Sequence, residues 1–116
     1  MKKINTIKEN NDFKRIMNTS KPCKNQDFLI FVEKNNKIEK YHFGISVSKK
    51  LGNAVTRNKL KRQVKSILDK KDYQKNFNCI IILRKEILNK SYSLKEKSLL
   101  EILNKFNIIV GEKNEK

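Results

Sequence analysis

Seven cations and no carboxylate stand between Tyr41 and Leu68: Lys49, Lys50, Arg57, Lys59, Lys61, Arg62 and Lys65. A solvated lysine-rich helix ordinarily interleaves Glu at i,i+4 and pairs its own charges. This segment does not, so its cations repel one another until a polyanion relieves them. Helical phase sorts them. With Leu60 at 0° and ~100° per residue, Leu60, Val64, Ile67 and Leu68 form one apolar stripe from roughly 340° to 80°. Lys65, Asn58 and Arg62 fall at roughly 140° to 200°, opposite that stripe, with Lys61 at about 100° on its border. Arg57, near ~60°, is on the apolar side, but in the first turn, where a long side chain passes beyond the sheet edge. The free N–H groups and positive dipole end of the helix give a phosphate a second reason to settle there. The chemistry indicated is binding of a phosphate polymer. A merely solvated basic face is the competing reading of the stretch, and a cap or surface amide that of Asn58.

Composition agrees. The chain has 116 residues, with 28 Lys or Arg against 12 Asp or Glu, a net charge of +16. That exceeds the ~2–8 that keeps a small domain soluble and points to an acidic partner. One compact domain over residues 1–110 is expected, with 111–116 as a loose tail. The longest wholly apolar run, Cys79 to Leu83, is too short to span a membrane. Met1-Lys2-Lys3 leads into Ile4, Asn5 and Thr6 rather than an apolar core, so no signal peptide is read. Cys23 and Cys79 stand far apart with one His42, which suits neither a metal site nor a disulfide framework and suggests a reducing cytoplasm. A protein nuclease needs a carboxylate cluster or a histidine acid–base pair. The acids here are scattered and His42 reads as a structural strand residue, so no catalytic or metal-ligating residue is assigned. The bias to Lys, Asn and Ile matches an AT-rich genome.

The elements that would position the basic segment follow from periodicity. Asn10-Asn11-Asp12 starts a short helix carrying Phe13, Ile16 and Met17, ending near Asn18-Thr19-Ser20 before Pro22. Phe28–Val32 and Tyr41–Val47 read as strands, with Asn35-Asn36 in the turn. Gly52-Asn53 is a turn and N-cap, after which the basic helix runs. Cys79–Leu83 reads as a strand covered on both sides. A capping box, Ser93-x-x-Glu96, opens a last helix with Leu99, Leu100, Leu103 and Phe106 inward. The order helix, strand, strand, helix, strand, helix indicates an α/β (α+β) two-layer sandwich, a small mixed sheet packed with helices.

The run from Ser46 to Arg62, Ser-Val-Ser-Lys-Lys-Leu-Gly-Asn-Ala-Val-Thr-Arg-Asn-Lys-Leu-Lys-Arg, resembles the signature of the bacterial ribonuclease P protein component. That signature is S-V-S-K-K, G-N-A-V, R-N-R and then a basic amphipathic helix, in this order and without gaps. Asn11-Asp-Phe13 and Leu83-Arg84-Lys85 extend the resemblance, which covers roughly Lys8 to Phe106. It implies a ribosomal-protein-S5-domain-2-like fold with a left-handed β-α-β crossover, against the usual right-handed preference. It also implies an accessory subunit. The ribonuclease P RNA cleaves the 5′ leader from precursor tRNA with divalent ions, usually Mg²⁺, bound mainly by that RNA. The protein binds the catalytic RNA and the leader, holds no cofactor of its own and requires no protein partner.

By position, Arg57, Asn58, Lys59, Lys61, Arg62 and Lys65 resemble the helix that packs on the catalytic RNA. Lys49 and Lys50, with Arg84 and Lys85, would flank the route of the leader, and Phe13, Met17 and Phe31 would line its cleft. A single strand suits such a cleft, since bases stack on aromatic rings while cations follow the backbone. Each Phe alone would read as ordinary core. Three positions depart from the family pattern. Lys59 replaces an Arg and loses its planar fork; Met17 replaces an aromatic; Glu86-Ile87 follow where a small residue or Pro is common. The rival is a structural RNA-binding protein such as a small ribosomal protein. A DNA-binding regulator fits less, lacking helix-turn-helix spacing.

Overall fold

The computed structural model describes residues 5–6 and 10–112. In chain order the elements are β1 (Asn5–Thr6), α1 (Asn10–Thr19), β2 (Pro22–Lys24), β3 (Phe28–Lys34), β4 (Tyr41–Ser46), α2 (Ala54–Leu68), β5 (Lys71–Tyr73), β6 (Phe77–Leu83), α3 (Tyr92–Asn104) and β7 (Ile109–Glu112). Five strands form one mixed sheet in the order β1-β4-β6-β3-β2, while β5 and β7 pair as a separate ribbon. Among the described residues no helix is long and apolar enough to cross a membrane.

The wholly apolar run holds the centre of the sheet. β6 runs parallel to β4 and antiparallel to β3, so the strands joined through Asn35-Asn36 are not neighbours. An interior place pairs both backbone edges of β6 and buries both of its faces, which is why the alternation expected of a half-exposed strand is missing. On one face Ile80 meets Ile16 of α1 and Phe31 of β3. On the other, Cys79, Ile81 and Leu83 join Leu60, Val64, Ile67 and Leu68 of α2 and Leu99, Ile102 and Leu103 of α3. The α2 stripe is the one its phase predicts. Leu100 and Phe106, expected inward, are only half-buried against that core.

Two details correct the sequence reading. Ser91, not Ser93, caps α3: its Oγ accepts from Leu94 N at 3.2 Å. Glu96 does not fold back to close a capping box; it pairs with Lys70 Nζ at 2.7 Å. The C-terminal segment is a strand as far as Glu112, which stands opposite Lys71, with Gly111 opposite Asp72. The tail expected from residue 111 therefore begins inside the fold, and 113–116 lie outside the described residues.

Candidate nucleic-acid interface

The basic segment is built by a series of caps. Ser48 Oγ accepts from Lys50 N at 3.0 Å and opens a 3₁₀ turn over Lys49–Leu51. Leu51 points into the core while Lys49 and Lys50 are left exposed. Gly52 leaves the turn at φ 139°, a conformation glycine adopts without strain. Asn53 then caps α2, its Oδ1 accepting from Thr56 N at 3.0 Å. Serine, glycine and asparagine thus aim the first turn of α2 and place two lysines immediately before it.

Along α2, Asn58, Lys59 and Arg62 are exposed, and Arg57, Lys61 and Lys65 are half-buried. None of the seven cations of this segment makes an ion pair or side-chain hydrogen bond among the described residues. Arg57 Nε is buried with no hydrogen-bond partner. Cations elsewhere do find carboxylates: Arg15 pairs with Glu33, Lys70 with Glu96, and Lys90 lies 3.8 Å from Asp27. The seven cations of this segment thus form one run with no counter-charge of its own.

A cleft of about 380 Å³ opens beside that surface, lined by Phe13, Lys14, Ile45, Ser46, Val47 and Lys61. It has an aromatic ring on α1, a strand end of β4 and one lysine from each flanking helix. Phe13 lies over Gly44, where a Cβ would come within 2.6 Å of its ring. Met17 is 39 % exposed. Phe31 is not on this cleft. It is 7 % exposed, in the row Gly44–Ile80–Phe31 that α1 covers, and it packs under Ile16. The assignment of Phe31 to a stacking surface is corrected on that ground: its register puts it beneath the helix. A larger hollow of about 640 Å³ lies at the other end of β4, between the loops at Asn35–Lys37 and Gln74–Phe77, away from the basic helix.

Arg84 and Lys85 part company. Arg84 Nη1 donates to Asn25 O at 2.9 Å and steadies a turn in which Asn25 Oδ1 accepts from Asp27 N and Phe28 N. Lys85 is exposed at the start of a 3₁₀ turn. His42 is tied into the sheet, its Nδ1 2.9 Å from Asn78 Oδ1, and Asn78 Nδ2 donates in turn to Glu33 Oε1. Among the described residues no group of three or more His, Cys, Asp or Glu could hold a metal ion. Burial pushes the Cys79 thiol up, which leaves it inert as a nucleophile. Sequence reasoning missed Lys14 and Ser46, which line the cleft; their neighbours Phe13 and Val47 were the available signal.

The Ribonuclease P family profile matches residues 1–107. The ribonuclease P protein component of Mycoplasma mycoides is 39% identical over 111 residues, 89% of this chain and 96% of that protein. Among solved structures, the RNase P protein of Staphylococcus aureus superposes with a TM-score of 0.81 at 32% identity, covering 91% of this chain and 98% of that one. The RNase P protein of Thermotoga maritima gives 0.75 at 28% identity, covering 86% and 96%.

Proposed function

Because the chain belongs to the ribonuclease P protein family, and is thereby the protein subunit of the ribonucleoprotein that matures tRNA 5′ ends, we propose that it works through two adjoining surfaces. The basic face of α2 holds the catalytic RNA, and Lys49 and Lys50 flank the route of the leader. The cleft between α1 and β4 holds the 5′ leader of precursor tRNA. The observation that carries the reading is the run of cations along Lys49–Lys65 with no internal partner, beside a cleft that joins an aromatic ring to Lys14 and Lys61.

The physical roles follow. Phosphates displace counterions from the α2 cations, which supplies affinity without reading sequence. In the cleft, Phe13 offers a π-face and Lys14 and Lys61 follow the leader backbone, while Met17, exposed on the next turn of α1 and outside the cleft lining, adds a polarizable apolar surface. Holding the leader fixes where the scissile bond lies relative to the RNA, a positioning effect. In this reading the Mg²⁺ of the reaction is left to the catalytic RNA, and no chemical step is assigned to a residue of this chain. The proposal places the protein in the cytoplasm, with RNA as its sufficient partner.

A photoreactive nucleotide in the leader of precursor tRNA tests this. In the reconstituted enzyme it should crosslink to α1 or to the Ser46–Val47 strand end. Crosslinks confined to the Asn35–Lys37 loop would place the leader elsewhere.

A further inference from the structure

The seam between α2 and α3 carries a charge that the core does not explain. Lys95 occupies the buried stripe of α3, one turn before Leu99, and is 7 % exposed. Its Nζ donates to Gln63 Oε1 of α2 at 2.7 Å, a neutral partner, and it has no ion pair among the described residues. The charge that acts on it is another cation, Lys59; burial first, and Lys59 second, hold its ammonium below the usual lysine range. An ammonium taken from water and set beside a like charge is unfavourable in the free protein, and a leucine or methionine would continue the stripe better. The rest of the seam is closed internally. Ser66 Oγ meets Tyr92 Oη at 2.9 Å and Lys70 Nζ meets Glu96 Oε2 at 2.7 Å. The end nearer the first turn of α2 instead keeps cationic donors that meet no carboxylate among the described residues: two protons of Lys95 Nζ and all three of the exposed Lys59.

We propose that this end of the seam binds an RNA phosphate, gripped jointly by Lys95 and Lys59 with Gln63 holding Lys95 in place, so that α3 takes part in RNA binding. The site continues the strip of unpaired cations that runs round α2 from Arg62. A phosphodiester chain spans such a strip, and each neutralised cation adds to counterion release. An anion there supplies the counter-charge that the fold withholds from Lys95. The inference rests on the RNA-binding reading of α2.

The test uses the full chain and a bacterial ribonuclease P RNA, with affinity measured across a salt series. Lys95→Met keeps the apolar stem and removes the charge; Lys95→Gln does the same where the Met variant fails to fold. Affinity should fall about five- to tenfold, and the slope of log K against log salt should flatten by about one, with no loss of thermal stability. Arg62→Ala is the reference. Full affinity and slope in the Lys95 variant, with both lost in Arg62→Ala, would make Lys95 a packing residue only and leave the α2 reading standing. An unchanged slope in both would overturn the two together. Inorganic phosphate should stabilise the native chain more than Lys95→Met; that selectivity, with RNA affinity and slope unchanged in Lys95→Met, would make the occupant a free anion instead of RNA.

Discussion

Phe13 of α1 is seated on the bare backbone of Gly44 in β4: a Cβ at Gly44 would stand 2.6 Å from Phe13 Cζ and 3.2 Å from each Cε. The glycine is there for close approach, and the ring it admits forms one wall of the cleft. Gly44→Ala should force the ring aside, lowering stability by about 1–3 kcal/mol as overpacking does. Leader-bearing tRNA should bind more weakly while RNA assembly holds. Urea denaturation and substrate binding check this; an alanine variant unchanged in both would mean that the ring has room to spare.

Phe13 and Phe31 should behave oppositely, although both are aromatic and both lie on the α1 side of the sheet. Phe31→Leu removes ring volume from beneath Ile16 and should lower stability by about 1 kcal/mol, with leader preference intact. Phe13→Leu should keep most of the stability and lose leader affinity, since stacking is worth ~1–3 kcal/mol per base. Loss of leader preference in Phe31→Leu without destabilisation would contradict the burial.

Arg62 is exposed on α2 and has no carboxylate partner among the described residues. Arg62→Ala should weaken binding to the catalytic RNA and reduce the salt slope by about one. Lys37→Ala, at the far loop, should change neither. Equal effects from the two would mean that net charge alone, not the α2 surface, drives binding.

Lys95 provides a pH test. Its ammonium is held below the usual 10.5, so the folded state binds that proton less readily than the unfolded one. The charged form therefore opposes folding at neutral pH, and the penalty fades as pH rises through the folded-state value. The stability of the native chain relative to Lys95→Met should thus improve from pH 7 toward pH 10.5, measured by urea denaturation at each pH. A relative stability that falls over this range would reverse the sign.

The basic helix was legible because helical periodicity is strong there: Leu60, Val64, Ile67 and Leu68 are buried as their phase demands, and Asn58 and Arg62 stand clear. That Cys79–Leu83 is a strand covered on both faces was legible from its unbroken apolar run; its central place between β4 and β3 was not. Strand parity could not tell which face α1 would cover, so Phe31 was misplaced. Strands as short as Asn5–Thr6 and Lys71–Tyr73 carry no period, and they exist through tertiary pairing alone. Arg84 looked like one more free cation; its carbonyl partner at Asn25 lies far away in sequence. Lys95 was visible in principle, as a lysine on the Leu99–Ile102 stripe, yet only its contact with Gln63 shows where its charge goes.

The division of labour between α2 and the α1–β4 cleft is tested most directly by substrate discrimination. Affinity for precursor tRNA and for mature tRNA is measured with the catalytic RNA alone and with the reconstituted enzyme. The protein should tighten binding of leader-bearing tRNA by tenfold or more, the equivalent of about 1.4 kcal/mol from one or more stacked and ion-paired nucleotides, and leave mature tRNA nearly unchanged. Equal tightening of both substrates would contradict the account, because the chain would then act through the RNA alone and the cleft would hold no leader.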